Sequence, residues 1–158
     1  MANHVLTATD AALKAFFTAA NISGLPAASI ARSKESTGKT LPVLICNSET
    51  AVRKRAKNWE VTGSILLKTD PSTDENGDNL AASSIMEAAV LDALESNVDE
   101  VDDPHGLANA ITAAGVADGS VIASEFLITA FFIKQVSAGW DEDEIFTFSV
   151  DYNANVIA

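Results

Sequence analysis

Between residues 59 and 68 apolar and polar side chains alternate almost without a break. Trp59, Val61, Ile65 and Leu67 fall on one side, and Glu60, Thr62, Ser64 and Lys68 on the other. A period of two over this length predicts a strand with one buried face, and so a sheet that must be covered on that side. A second segment of the same kind lies near the C-terminus. Over residues 145–152, Phe146, Phe148, Val150 and Tyr152 share a face opposite Thr147, Ser149 and Asp151. Residues 41–47 (LPVLICN) form a third, more continuously apolar run, with Pro42 near its start, where a missing N–H does least harm. Residues 121–136 predict one long or two consecutive strands, and residues 139–143 a loop.

The cover for this sheet comes from helical periodicities. Leu13, Phe16, Phe17 and Ala20 make an apolar stripe over residues 10–20, with Thr9 as predicted N-cap and Asp10 at the positive end of the helix dipole. Asn21 and Gly24-Leu25-Pro26 stop it. Ser84 with Glu87 has capping-box spacing and opens a helix over residues 84–95, whose apolar face is Met86, Ala89, Val90, Ala93 and Leu94. Asp103-Pro104 opens a third, carrying Leu107, Ala110, Ile111 and Ala114 to an expected stop at Gly115. The expected architecture is an α+β fold: an antiparallel sheet with helices mainly on one face, in the order α-β-β-α-α-β-β. Its 158 residues make one domain, 1–158, without internal repeats.

Composition sets limits on function. Hydrophobic residues make up 47% of the chain, and the longest apolar run, residues 126–133, is interrupted by Thr129. That run is far short of the roughly 20 residues that span a bilayer, so no membrane contact is expected. The N-terminus Met1-Ala2-Asn3-His4 has neither a basic nor a long apolar region of the kind that begins a secretory signal. The lone cysteine, Cys46, cannot form an intramolecular disulfide and suits a reducing compartment as a small buried residue.

No motif carries catalysis. Residues 33–40 (SKESTGKT) end like a phosphate-binding loop, but Ser33 replaces the first glycine and a strand follows where a helix N-terminus is needed. The acids of residues 70–79 (DPSTDENGDN) miss calcium-loop spacing. Counted from Asp70, position six is Glu75 and position twelve is Ala81. The acidic runs 99–103 and 141–144 read as solvated. His4 and His105 have no cysteine or histidine at metal-ligand spacing, and no nucleophile elbow occurs. The expectation is a protein that is not an enzyme and has no cofactor and no metal.

Charge is the remaining signal. The net charge is −12, but residues 1–57 hold eight basic against three acidic residues (+5), and residues 58–158 hold two against nineteen (−17). The overall sign argues against general nucleic-acid binding, which depends on neutralising phosphates. The densest cationic stretch is Arg53-Lys54-Arg55-Ala56-Lys57, read as the long tip of a hairpin between the two strands. Arg53, Lys54, Arg55 and Lys57, with Trp59 beside them, are the candidate protein-contact turn, docking against an acidic neighbour.

Taken together, the leading helix, Leu41-Pro42-Val43-Leu44-Ile45-Cys46, Trp59-Glu60-Val61-Thr62-Gly63-Ser64-Ile65, the helix around Met86-Glu87-Ala88-Ala89-Val90-Leu91 and the closing strand 146–152 resemble the tail terminator (tail-completion) proteins of tailed bacteriophages. The resemblance is one of element order, size and patterning. It implies a structural virion protein, assembled in the host bacterial cytoplasm and located in the tail or neck. Such a protein is a homo-oligomer, usually a ring of six, that caps the tail tube and joins it to the head connector or stopper. DNA passes through the lumen without sequence-specific binding, and an acidic lumen lets it slide. Another neck component (a stopper or head–tail connector) and a non-phage α+β binding module share the same layout.

Overall fold

The computed structural model describes residues 2–32, 40–70, 78–96, 104–140 and 145–158. Among these residues three α-helices, α1 (Ala2–Ala20), α2 (Asp78–Glu95) and α3 (Pro104–Asp118), accompany five strands, β1 (Ile30–Arg32), β2 (Val43–Arg55), β3 (Asn58–Thr69), β4 (Leu127–Trp140) and β5 (Phe146–Ile157). The strands form one sheet in the order β1-β2-β3-β5-β4. Only β1 runs parallel to its neighbour; the other three pairings are antiparallel. The α+β class, the antiparallel sheet and the element order are as expected, with β1 as an additional short edge strand.

The alternating faces do what their period requires. Trp59, Val61, Ile65 and Leu67 of β3, and Phe148, Val150, Tyr152, Ala154 and Val156 of β5, are buried. They enter one core with Val5, Leu13, Phe16 and Phe17 of α1, Val90 and Leu94 of α2, and Leu107 and Ile111 of α3. Among the described residues, the opposite face carries a small apolar cluster, Ala31, Val43 and Ile45 with Leu41 and Leu66 beside it. Burial of apolar area on one face is therefore what ties helices to sheet.

Several boundaries move, each for a physical reason. Helix α1 begins at Ala2 and not at a Thr9 cap, because Val5, Ala8 and Ala12 extend the buried stripe backwards by two turns, while Ala20 at its far end is exposed. Thr9 is buried inside the helix, its Oγ1 donating to the Val5 carbonyl at 2.8 Å. Asp10 is also buried: it accepts the backbone N–H of Ser48 at 2.7 Å, and the Ser48 hydroxyl donates to the Leu6 carbonyl at 2.9 Å. These two bonds fasten α1 to β2. Helix α2 starts at Asp78, so Ser84 is an interior residue and no cap; the Leu80-Ala81-Ala82 run favours helix and continues it N-terminally. Helix α3 runs past Gly115, which packs against Ala12 of α1, and ends at Asp118. Gly119, with φ +79°, takes the left-handed position. The Gly119 N–H then donates to Val116 at 3.1 Å and the Ser120 N–H to Gly115 at 3.0 Å.

The hairpin between β2 and β3 is corrected most. Arg53, Lys54 and Arg55 are the last residues of β2, and the turn is only Ala56-Lys57. Two register shifts, between Ser48 and Thr50 and between Arg53 and Arg55, add a residue each to β2. They break its period of two, so a strand reads as a loop. Gly139 and Trp140, expected in a loop, likewise belong to β4, which is one strand beginning at Leu127 and not at Val121. The phosphate-loop-like residues 33–39, and the acidic segments 71–77, 99–103 and 141–144, lie outside the described residues.

Helix α3 is held to β4 by polar contacts as well as packing. The Ile128 N–H donates to Oγ1 of buried Thr112 at 3.0 Å, and Nδ1 of His105 lies 2.8 Å from the Thr129 carbonyl, as a donor. Thr112→Val keeps the shape and removes the acceptor. The unsatisfied Ile128 amide is expected to cost about 1–3 kcal/mol in urea unfolding.

Candidate assembly surface

The tight β2–β3 turn gathers the cations at one corner of the sheet. Arg53 stands opposite Trp59 on the helix-covered face, Lys54 occupies the bulge, Arg55 stands opposite Asn58, and Lys57 lies in the turn. All four are exposed. Trp59 is 9% exposed and belongs to the core, so it supports this corner from beneath and its ring is not presented outwards. Lys54 Nζ lies 3.9 Å from Glu60 Oε2, a solvent-exposed pair of little energetic weight. The C-terminus closes the corner: the Ala158 N–H donates to the Lys57 carbonyl at 2.9 Å, and Ile157 stands beside Asn58 in the next strand. Among the described residues, β1 pairs with β2 at Leu44, Ile45 and Cys46.

The diagonally opposite corner has the reverse character. Among the described residues, strand β4 is the other edge of the sheet, and the side chains of its second half are exposed. Ile133, Val136 and Trp140 are 38%, 44% and 58% exposed, although they pair with Tyr152, Val150 and Phe146 on the face that is buried elsewhere. Trp140 meets Phe146 edge to face at 5.3 Å. A further register shift between Ile133 and Gln135 sets Lys134 outside the alternation. That irregularity hides this apolar strip in the sequence. The spacing of Val136, Ala138 and Trp140 is the signal that could have shown it.

Two buried titratable groups of the core, Cys46 and Tyr152, have raised pKa values. The Cys46 thiol is wholly buried, and burial first, then the charge of Asp10, pushes its pKa up, so it stays protonated. Burial, then Asp10, raises Tyr152 in the same way. Among the described residues no three His, Cys, Asp or Glu side chains converge as metal ligands, and no helix is long and apolar enough to cross a membrane. What the geometry presents is a cationic corner and an apolar edge.

No family model and no curated protein matches this chain. Among solved structures, a chain in the virion of a native gene transfer agent (GTA) particle has a similar fold. The TM-score is 0.56 at 13% identity, over 95% of this chain and 94% of that one. Coverage of both chains at this level makes the similarity one of the whole fold.

Proposed function

We propose that this chain is a structural protein of a phage-like virion, and within it a tail terminator. Copies form a ring, six in the expected case, which caps the tail tube and meets the head connector or stopper. The observation that carries this reading is the end-to-end match in fold with a chain of a gene transfer agent virion. The separation of charge supports it. A ring joins each copy to the next through two different surfaces, and a cationic corner on a chain of net charge −12 has its complement on every neighbour. DNA passes through the lumen without sequence-specific binding, since a predominantly acidic surface gives its phosphates nothing to hold.

The first test is negative-stain imaging and light scattering of the purified protein, alone and with tail-tube protein. Rings are expected; a monomer under all conditions would sink the reading. Charge reversal supplies the second test. Arg53, Lys54 and Arg55 changed together to glutamate sit on an exposed corner. The thermal midpoint is therefore expected to move by no more than a few degrees, while ring formation and tail completion are lost. Normal tails from that variant would reduce the corner to a solvated strand end.

A further inference from the structure

We infer that a recess beside the β2–β3 turn, on the sheet face away from the helices, binds an acidic side chain of a protein partner that carries an aliphatic residue next to it. The inference gives the ligand chemistry of the cationic corner and stands independently of the ring reading.

The recess crosses four strands. Lys54 and Arg55 line it from β2, Asn58 from β3, Thr129 from β4, and Asn155 and Ile157 from β5, all of them described residues. The pairing brings them together. Asn58 stands opposite Arg55 on one side and Ile157 on the other, so these three side chains share a face. Asn155, two residues before Ile157, points the same way. Lys54 and Thr129 sit at the register shifts of β2 and β4, and a bulge re-aims the side chain it carries. The Thr129 hydroxyl donates to the Asn155 carbonyl at 3.2 Å, which fixes the β4 side of the recess. Its volume is about 320 Å³, at the small end of the roughly 300–1,000 Å³ of ligand sites. That holds one or two side chains and excludes a helix.

Charge and shape select the occupant. Lys54 and Arg55 are adjacent cations, and Glu60 offsets one of them, its Oε2 lying 3.9 Å from Lys54 Nζ. Glu60 pairs with Asn155 and therefore stands on the same face. One positive charge is left over, which one carboxylate neutralises. A free phosphate brings a charge of about −1.5 to −2 and would be left in excess beside Glu60. A nucleic-acid strand needs a track of cations, and here an acid interrupts it. The planar fork of Arg55 matches a carboxylate, and Asn58 and Asn155 add carboxamide N–H donors. Ile157 and its partner Leu127 are 38% and 39% exposed and give the recess an aliphatic rim. An aliphatic residue beside the ligand's carboxylate covers that rim, which a bare anion cannot do.

Carbodiimide coupling tests this on the full chain, with the capped peptide acetyl-Leu-Glu-Leu-amide as probe. The reagent activates the glutamate carboxyl, Lys54 Nζ attacks it, the amide bond forms and the urea leaves. By mass spectrometry Lys54 is expected to be labelled about threefold or more above Lys57, an exposed lysine outside the recess. Arg55→Gln is expected to remove that preference, and Glu60→Gln, which takes away the internal competitor, to increase it. Equal labelling of Lys54 and Lys57 in the native chain and in Glu60→Gln would overturn the site. Displacement of the peptide by an equal concentration of inorganic phosphate would overturn it in favour of a phosphate site. Acetyl-Gly-Glu-Gly-amide labelling Lys54 as well as the leucine peptide does would overturn the aliphatic half of the ligand. A Lys54 link to an acid of another copy, formed in place of the peptide adduct, would support the site and identify that copy as the partner.

Discussion

Replacing Gly63 by alanine is expected to lower the unfolding free energy by about 3 kcal/mol, the upper part of the range for overpacking a close-packed interior. Gly63 stands opposite Ser48 on β2 and Tyr152 on β5. A Cβ there would come within 2.5 Å of the Asn47 carbonyl oxygen, 2.8 Å of Ser48 Cα and 2.7 Å of the Tyr152 hydroxyl. Two of these three are backbone atoms and cannot rotate away. The third belongs to a ring that is 1% exposed and stacked on Phe131 at 4.7 Å. Relief would have to come from the β2 bulge, which also receives the Asp10 and Leu6 bonds from α1. Urea unfolding checks this, and a loss below about 1 kcal/mol, the lower end of the overpacking range, would show that the bulge yields easily. The consequence reaches the assembly surface, because the same irregular stretch of β2 leads directly to Arg53.

The second large effect is alkaline instability. Cys46 and Tyr152 lie in the same core, and burial raises the pKa of both above the values they have in an unfolded chain. For a group whose folded pKa is raised, the stabilisation is complete below its unfolded pKa and is lost as pH rises through the folded one, since the unfolded chain releases the proton first. The thiol begins to contribute above pH about 8.5 and the phenol above about 10. Each removes up to about 1.4 kcal/mol per pH unit over its window. Stability is therefore expected to decline gently from pH about 8.5 and about twice as steeply beyond pH about 10. Cys46→Ala should flatten the first portion while lowering stability at neutral pH by a small, pH-independent amount. An unchanged slope between pH about 9 and about 10 in that variant would show that Cys46 does not cause the decline.

The sequence was most informative where one physical rule acted alone. Alternation in residues 59–67 and 146–152 required two strands with a common buried face, and the structure buries Trp59, Val61, Ile65, Leu67, Phe148, Val150 and Tyr152 on it. The stripes around Phe16 and Leu94 required helices to cover that face. The class and element order follow from these periods, because burial of apolar area is the dominant driving force of folding and its period is local. Where two local rules competed, the tertiary structure chose. Thr9 and Asp10 have the chemistry of a helix start, yet Val5 and Ala8 found core partners and drew the helix past them. Ser84 with Glu87 met the same fate in α2.

The cationic residues Arg53, Lys54, Arg55 and Lys57 were legible by composition alone, because like charges in sequence stand out whatever the fold. Their setting was not. They were expected on a long tip with Trp59 at its side; instead Arg53, Lys54 and Arg55 end strand β2, Lys57 lies in a two-residue turn, and Trp59 is turned into the core. A bulge adds one residue without any signature in composition, and it shifts every later side chain to the other face. The apolar end of β4 was hidden for the same reason, by the shift at Lys134. Local periodicity thus determined by itself that this chain folds as a half-covered sheet of mainly antiparallel strands. Only the tertiary structure decided the order of the strands in that sheet, because the neighbours of a strand are set by long-range pairing.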